Sequence, residues 1–159
     1  MSSFHGHIEQ AKRNLDFLEK VNSEFEDVYN WHVTVCFYSA LHLVKAHAFK
    51  ALGTYHRTHN DLANVISPES RIKTPAQVSE HVFVAYKSLF ILSRRSRYLY
   101  NVKSDTHLSF TYFKHLAKAE RHLNTVMEWV GEKYKLKLPV LIFSCIGLYK
   151  GELKHFNVS

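Results

Sequence analysis

The segment from Val28 to Leu52 constrains the fold more than any other part of the chain, because it is apolar on most sides of a helix. Hydrophobic residues occupy most of its positions, and Gly53 follows it, at the place where helices commonly end. A helix that is apolar all round is buried among other elements. The sequence therefore predicts a central helix, ending near Gly53, that other helices surround.

Three further segments carry apolar residues at the three- and four-residue steps of amphipathic helices. We expect a first helix over about 3–22, another over about 74–100 and a last one over about 108–134. A shorter helix is predicted within the loop 54–70. The predicted fold is all-α: an up-and-down bundle of four main helices plus a short loop helix, with an apolar C-terminal extension.

The start of the helix over 74–100 is predicted from a local sequence pattern. Thr74 can cap the helix, Pro75 suits a first turn, and Gln77 can close a capping box. The sequence therefore predicts that this helix begins at Thr74.

The C-terminal segment 135–159 differs in composition from the helices that precede it. It contains β-branched residues together with Pro139, Gly147 and Gly151, which predicts a short strand or an extended arm. So apolar a segment is unfavourable in water, and we expect it to pack on the bundle or on a second subunit. We accordingly divide the chain into a helical domain, 1–134, and an extension, 135–159.

Charge and composition narrow the classes of function. The 159 residues are 46% hydrophobic, which is enough for a folded core, and 21 Lys and Arg against 14 Asp and Glu give a formal net charge of +7. An excess of positive charge favours a polyanionic partner. The N-terminus is too polar for a secretory signal, and no apolar run reaches the about 20 residues that span a bilayer. The sequence predicts a cytoplasmic protein without a membrane contact.

Motifs for metal, cofactor and enzyme chemistry are missing from the sequence. The two cysteines, Cys36 and Cys145, lie in apolar surroundings and are predicted to be buried thiols. No zinc spacing, nucleotide-binding glycine loop, HExxH or GxSxG pattern occurs. We expect no metal and no cofactor, and the motifs favour a protein that is not an enzyme.

The stretch "LSRRSRYLYN", residues 92–101, is the first candidate site. On a helix Arg94, Arg97, Tyr98 and Asn101 share one face, and Arg95 points away from it. Two guanidinium groups, a phenol and an amide can hold a phosphate group and stack a base. The same face can hold carboxylates of a partner, or it can complement the helix dipole and meet only water.

Histidines provide the other candidates. His42 lies one turn after Tyr38 on the central helix, and we expect it to be buried with a hydrogen-bond partner rather than to act as a base. His56, Arg57 and His59 crowd the following loop, where a hydrogen-bonded anchor is favoured over a metal site. The last helix carries two more, predicted to be ordinary surface residues: His115 and His122.

Two stretches resemble the HEPN domains of bacteria and archaea: "WHVTVCFYSALHLVKAHAFKALGTYHRTHNDL", residues 31–62, and "AYKSLFILSRRSRYL", residues 85–99. The resemblance covers about residues 8–130. It implies an up-and-down helical bundle that forms a homodimer. It also implies a nucleotidyltransferase-like protein partner, a place in toxin–antitoxin or phage-defence systems, or metal-independent ribonuclease activity.

HEPN nucleases carry an arginine followed, after four to six residues, by a histidine. No arginine of this chain has a histidine at that spacing, and Asn101 occupies the fourth position after Arg97. We therefore expect a HEPN-like homodimer that binds RNA, nucleotide phosphate or a nucleotidyltransferase-like partner. The expected binding residues are Arg94, Arg97, Tyr98, Asn101, His56, Arg57, His59 and His42.

Two alternatives remain open at this point. The first is a metal-independent ribonuclease that uses Arg97 with His107 or with a histidine from the loop. The second is a structural dimer or adaptor, in which the arginines pair with acidic residues of a neighbour such as Glu24, Glu26 and Asp27.

Overall fold

The computed structural model describes the backbone of residues 3–98 and 105–159, and the side chains of residues 3–97 and 113–159. The described residues form five helices and two short strands, which confirms the prediction of an all-α bundle. The elements are α1 (Phe4–Glu24), α2 (Tyr29–Leu52), α3 (His59–Ile66), α4 (Glu80–Tyr98), α5 (Asp105–Tyr134), β1 (Leu141–Phe143) and β2 (Phe156–Val158).

Helix α2 occupies the centre of the bundle, as its composition predicts. α1, α4 and α5 all pack against it, and most of its side chains are buried, apart from a stripe that includes the exposed Trp31 and Tyr38. It ends at Gly53, whose φ of 68° lies in the left-handed region that favours glycine, and the Gly53 amide donates to the carbonyl of Phe49 at 2.8 Å. The other main helices, α1, α4 and α5, therefore pack around the apolar helix α2.

The predicted start of the fourth main helix at Thr74 is wrong, because α4 begins at Glu80. The Thr74 hydroxyl donates to the carbonyl of Val65 at 2.7 Å, and the Gln77 amide donates to the carbonyl of Ser67 at 3.0 Å. Both side chains therefore bind the end of α3 and the turn after it. Tertiary hydrogen bonds at these positions replace the helix cap that the local pattern predicted.

The C-terminal extension packs on the bundle of the same chain. β1 and β2 pair in parallel and β1 lies against α1, with the inward side chains of both strands part of the core. Asn22 is buried near the end of α1. Its side-chain Nδ2 donates to the Ser144 carbonyl, and its Oδ1 accepts from the Ser144 backbone N–H, each at 2.8 Å. On α5, the side-chain oxygen of Asn124 accepts from the backbone amide of His155 at 2.9 Å. Polar contacts from two helices therefore hold the extension in place.

Several compositional predictions can be compared with the described part of the chain. Cys36 and Cys145 are buried free thiols, as predicted. Across residues 3–98 and 105–159, no helix is both long and apolar enough to cross a membrane. Among the described side chains, those of residues 3–97 and 113–159, no three or more His, Cys, Asp or Glu residues are grouped so that they could hold a metal ion.

Candidate functional site

The arginines near the end of α4 separate onto two flanks of the helix. Arg94 is exposed, with its guanidinium carbon 5.7 Å from the centre of the Phe90 ring. Arg97 is half-buried, and its Nε donates to the carbonyl of Ser93 at 3.4 Å. Arg95 lies on the other flank, towards α5. This separation agrees with the helical spacing seen in the sequence.

Some predicted residues lie outside the described part of the chain. These are the side chain of Tyr98, the whole of Asn101, and the side chain of His107. The site is therefore built from the remaining candidates.

His59 brings the predicted loop and the predicted arginine cluster together. It opens α3, where the Thr58 hydroxyl caps the helix. Its ring packs against two aromatic rings, Phe37 and Phe90, with both pairs of ring centres 5.2 Å apart. Burial lowers the pKa of His59, and the positive charges of Lys45 and Arg97 lower it further. Ring packing anchors this histidine, and its buried Nδ1 makes no hydrogen bond with a described residue.

The other two loop candidates are not drawn into the same contacts. His56 is half-buried and Arg57 is exposed. Neither of them makes a hydrogen bond or ion pair with a residue that the structure describes. The structure thus places His59, and not His56 or Arg57, against the arginine-bearing helix.

His42 has the predicted hydrogen-bond partner, but it is half-buried at the edge of a groove, so the prediction that it lies buried is wrong. Its Nδ1 lies 3.1 Å from Nδ1 of His7 on α1, so one ring donates and the other accepts. Burial, then His7 and Lys45, lower the pKa of His42 to about 4, and burial and Lys45 also lower the pKa of His7. Tyr55 stacks parallel to the His7 ring at 6.3 Å, and the Lys45 ammonium lies 5.2 Å from the centre of the Tyr55 ring. The pair is therefore neutral near pH 7.

Lys45 lies near both the His7–His42 pair and His59, because its charge lowers the pKa of all three histidines. We call this region the histidine–arginine surface, and it consists of His7, His42, Lys45, His59, Arg94 and Arg97. Near neutral pH its charge comes from the lysine and the two arginines, while the imidazoles are uncharged hydrogen-bonding groups. Such an arrangement can bind an anion and donate hydrogen bonds to it.

An apolar groove of about 570 Å³ continues from His42 between α1 and α2. Trp31 and Tyr38 line it with 60% and 37% of their surface exposed. Exposed aromatic faces of this kind can stack unpaired bases. The remaining lining residues are Gln10, Asn14, Phe17, Thr34 and Val35.

Two members of the surface, His7 and Lys45, and the Phe90 ring that packs against it were not singled out from the sequence. They lie on α1, α2 and α4, and only the packing of these helices brings them together. Lys45 follows His42 by three residues, so helical spacing offers a signal for that one contact. Nothing in the local pattern around His7 or Phe90 distinguishes them from other residues of amphipathic helices.

The sequence matches no protein-family model and no curated protein. The resemblance to HEPN domains therefore stays a prediction, and it rests on the stretches 31–62 and 85–99.

Proposed function

We propose that this chain is a HEPN-like protein that binds the phosphate groups of RNA or of a nucleotide through the histidine–arginine surface. One observation carries the proposal. His59 packs against Phe90, Arg94 lies over the same ring, and Arg97 is near enough to lower the pKa of His59. Two guanidinium groups and a hydrogen-bonding imidazole are thereby gathered from two separate segments of the chain.

The chemistry of these groups suits a phosphate ligand. Guanidinium groups bind phosphate oxygens through paired hydrogen bonds, and the exposed Arg94 is available for this. Neutral imidazoles add N–H donors, and the exposed rings of Tyr38 and Tyr55 offer stacking surfaces for bases. The net charge of +7 assists the approach of a polyanion.

The quaternary structure and the biological setting are proposed from the resemblance to HEPN domains. They comprise a homodimer in the cytoplasm, which acts in a toxin–antitoxin or defence system. A nucleotidyltransferase-like protein is the alternative partner for the same surface.

A second candidate function is metal-independent ribonuclease activity, and one observation favours it. Arg97 has no histidine at the spacing of HEPN nucleases. His59, at the start of α3, is nevertheless close enough for the charge of Arg97 to lower its pKa. An imidazole whose pKa is lowered is unprotonated at neutral pH and can accept a proton from a ribose hydroxyl. Arg97 would then stabilise the charge that develops on the phosphate.

Binding of a labelled RNA pool across about 50 to 200 mM salt tests the proposal. We would compare the wild type with Arg94→Ala/Arg97→Ala and with a charge-matched control, Lys150→Ala/Lys154→Ala, which changes two exposed residues of the extension. We expect the logarithm of affinity to fall with a slope of about −0.7 per phosphate contact in the wild type and the control. The arginine variant should bind more weakly with a shallower slope.

Gel analysis of the same RNA in EDTA separates the candidates. Intact RNA supports a binding protein, whereas shortened RNA that depends on Arg97 and His59 supports the ribonuclease. No RNA binding at low salt would contradict both. It would favour a structural adaptor, in which the arginines meet acidic residues such as the exposed Glu24, Glu26 and Asp27 of a neighbour.

A further inference from the structure

A basic groove, separate from the histidine–arginine surface, lies on the opposite flank of α4. It runs between α4 and α5 and has a volume of about 470 Å³. No carboxylate lies among the described residues that line it. These residues are Ser88, Ile91, Leu92, Arg95, Lys118, Arg121 and His122.

One of the three strong cations in the groove is already paired. Arg121 forms an ion pair with both carboxylate oxygens of Glu152, and it donates to the carbonyl of Gly147 at 2.7 Å. This residue therefore holds the C-terminal extension against α5, and its charge is largely neutralised. Arg95 and Lys118 are exposed, and neither forms an ion pair with any residue within the described part of the chain.

The cations of this region lower the pKa of its histidines. Burial lowers the pKa of His122, and His81 and Lys118 lower it further. Burial likewise lowers the pKa of His115, with additional effects of Lys118 and Arg95. Both histidines are half-buried rather than ordinary surface residues, so the prediction from their spacing is wrong. The positive charge of the groove therefore comes from Arg95 and Lys118, and the pKa shifts of His115 and His122 favour their neutral forms.

Two described carboxyl groups near the groove, Glu120 and Glu152, do not offset the positive charge of Arg95 and Lys118. Glu120, which adjoins Arg121 in the sequence, is fully buried, and burial raises its pKa well above 4.5, which favours its neutral form. Glu152 is already committed to Arg121. Since no carboxylate is among the described lining residues, an anion from solution can supply compensating charge there.

We propose that the α4–α5 groove is a second phosphate-binding site, distinct from the histidine–arginine surface. Arg95 supplies a planar guanidinium for paired hydrogen bonds, Lys118 supplies a point charge from the facing helix, and His122, one turn after Lys118 on α5, supplies an imidazole. Only the width of α4, about 10 to 12 Å with its side chains, separates the two sites. One strand of RNA can therefore contact both, and a free phosphate compound can occupy the groove alone.

Titration with inorganic pyrophosphate tests the groove without RNA. We would follow the ring resonances of His122 by NMR in the wild type, in Arg95→Ala/Lys118→Ala and in Arg94→Ala/Arg97→Ala. We expect saturable binding that raises the pKa of His122, since a bound anion stabilises the imidazolium form. The groove variant should bind at least about tenfold more weakly, since it loses charge-assisted hydrogen bonds, while the Arg94/Arg97 variant retains the effect at His122.

An unchanged response in Arg95→Ala/Lys118→Ala, or no response of His122 in the wild type, would overturn the inference. Both substituted residues are exposed, so the variant should keep the fold, which circular dichroism checks. The matched control Lys150→Ala/Lys154→Ala removes the same charge elsewhere and should leave pyrophosphate binding unchanged.

The RNA salt series then identifies the source of the phosphate. If an RNA strand occupies the groove, Arg95→Ala/Lys118→Ala should reduce the magnitude of the slope by about 1.4, which corresponds to two lost contacts. An unchanged slope with pyrophosphate binding intact supports a site for free phosphate compounds. Pyrophosphate binding without RNA binding upholds the groove and contradicts RNA as the ligand of the histidine–arginine surface. RNA binding without a response at His122 upholds RNA as the ligand of the histidine–arginine surface and contradicts the proposed phosphate site in the groove.

Discussion

The hydroxyl of Tyr134, at the end of α5, lies 2.7 Å from Nδ1 of His47 at the centre of the bundle. The other ring nitrogen, Nε2, lies 2.9 Å from the carbonyl oxygen of Ala76, which can only accept. Nε2 therefore carries the proton and Nδ1 accepts from Tyr134. A single buried imidazole thus joins α2, α5 and the segment before α4.

Tyr134→Phe should destabilise the protein, because it leaves Nδ1 of His47 buried without a donor. An unsatisfied buried acceptor costs about 1 to 3 kcal/mol. Urea unfolding would measure the loss against Tyr149→Phe, a control at an exposed tyrosine. An unfolding free energy equal to that of the wild type would show that this hydrogen bond contributes nothing.

Lys45→Met should raise the pKa of three histidines at once: His7, His42 and His59. The positive charge of Lys45 disfavours the imidazolium form of each, and methionine keeps a similar apolar stem without that charge. NMR titration of the ring protons would follow the pKa of His42 upward from about 4. Lys50→Met, at a lysine that lies over the Phe4 ring, is the control and should leave the three values in place. If they move equally in both variants, Lys45 is not the connection between the two halves of the surface.

His32→Leu should leave the protein at least as stable at pH 7 and less sensitive to acid. The ring is fully buried edge-on to Phe143, and although the Val21 carbonyl is near, neither nitrogen meets hydrogen-bond geometry with a described residue. Replacement of such a group by an apolar one removes a desolvation cost.

The acid sensitivity of His32 follows from its pKa, which burial lowers below 6.5 in the folded chain. The unfolded state therefore binds more protons than the folded state between the two pKa values. Stability is complete above about 6.5 and is lost as pH falls through this window. Urea unfolding at several pH values would compare His32→Leu with His5→Leu, a control at an exposed position. A pH profile of His32→Leu as steep as that of the control would count against the prediction.

Glu120→Gln should stabilise the protein at alkaline pH. Glu120 is buried and its pKa is raised well above 4.5, chiefly by burial, with the Cys145 thiol beside it. Because the folded state holds this proton more tightly than the unfolded state, its contribution is complete below about 4.5 and declines as pH rises towards the folded pKa. Glutamine keeps the shape and remains neutral. Thermal unfolding at several pH values should show a flatter decline than in Glu128→Gln, a control on the same helix, and an identical decline would refute the assignment.

The fold follows from the sequence to a large extent, because helical periodicity is a local property. The apolar segment before Gly53 predicted the central helix α2, and the amphipathic steps predicted the helices around it. The predicted start of α4 at Thr74 was wrong for a physical reason. Thr74 and Gln77 have the side chains of a helix cap, but their hydrogen bonds go to the end of α3 and its following turn, which the local pattern does not contain.

By itself, the sequence determined which residues each helix places on one face, including the separation of Arg94 from Arg95. This follows from the 3.6-residue repeat, which depends only on neighbouring positions. Only the tertiary structure decided that His59 meets Phe90, that His7 pairs with His42, and that the Arg95 flank faces Lys118 on α5. These contacts join residues that are distant along the chain, and they depend on how whole helices pack, which the pattern within any single helix does not specify.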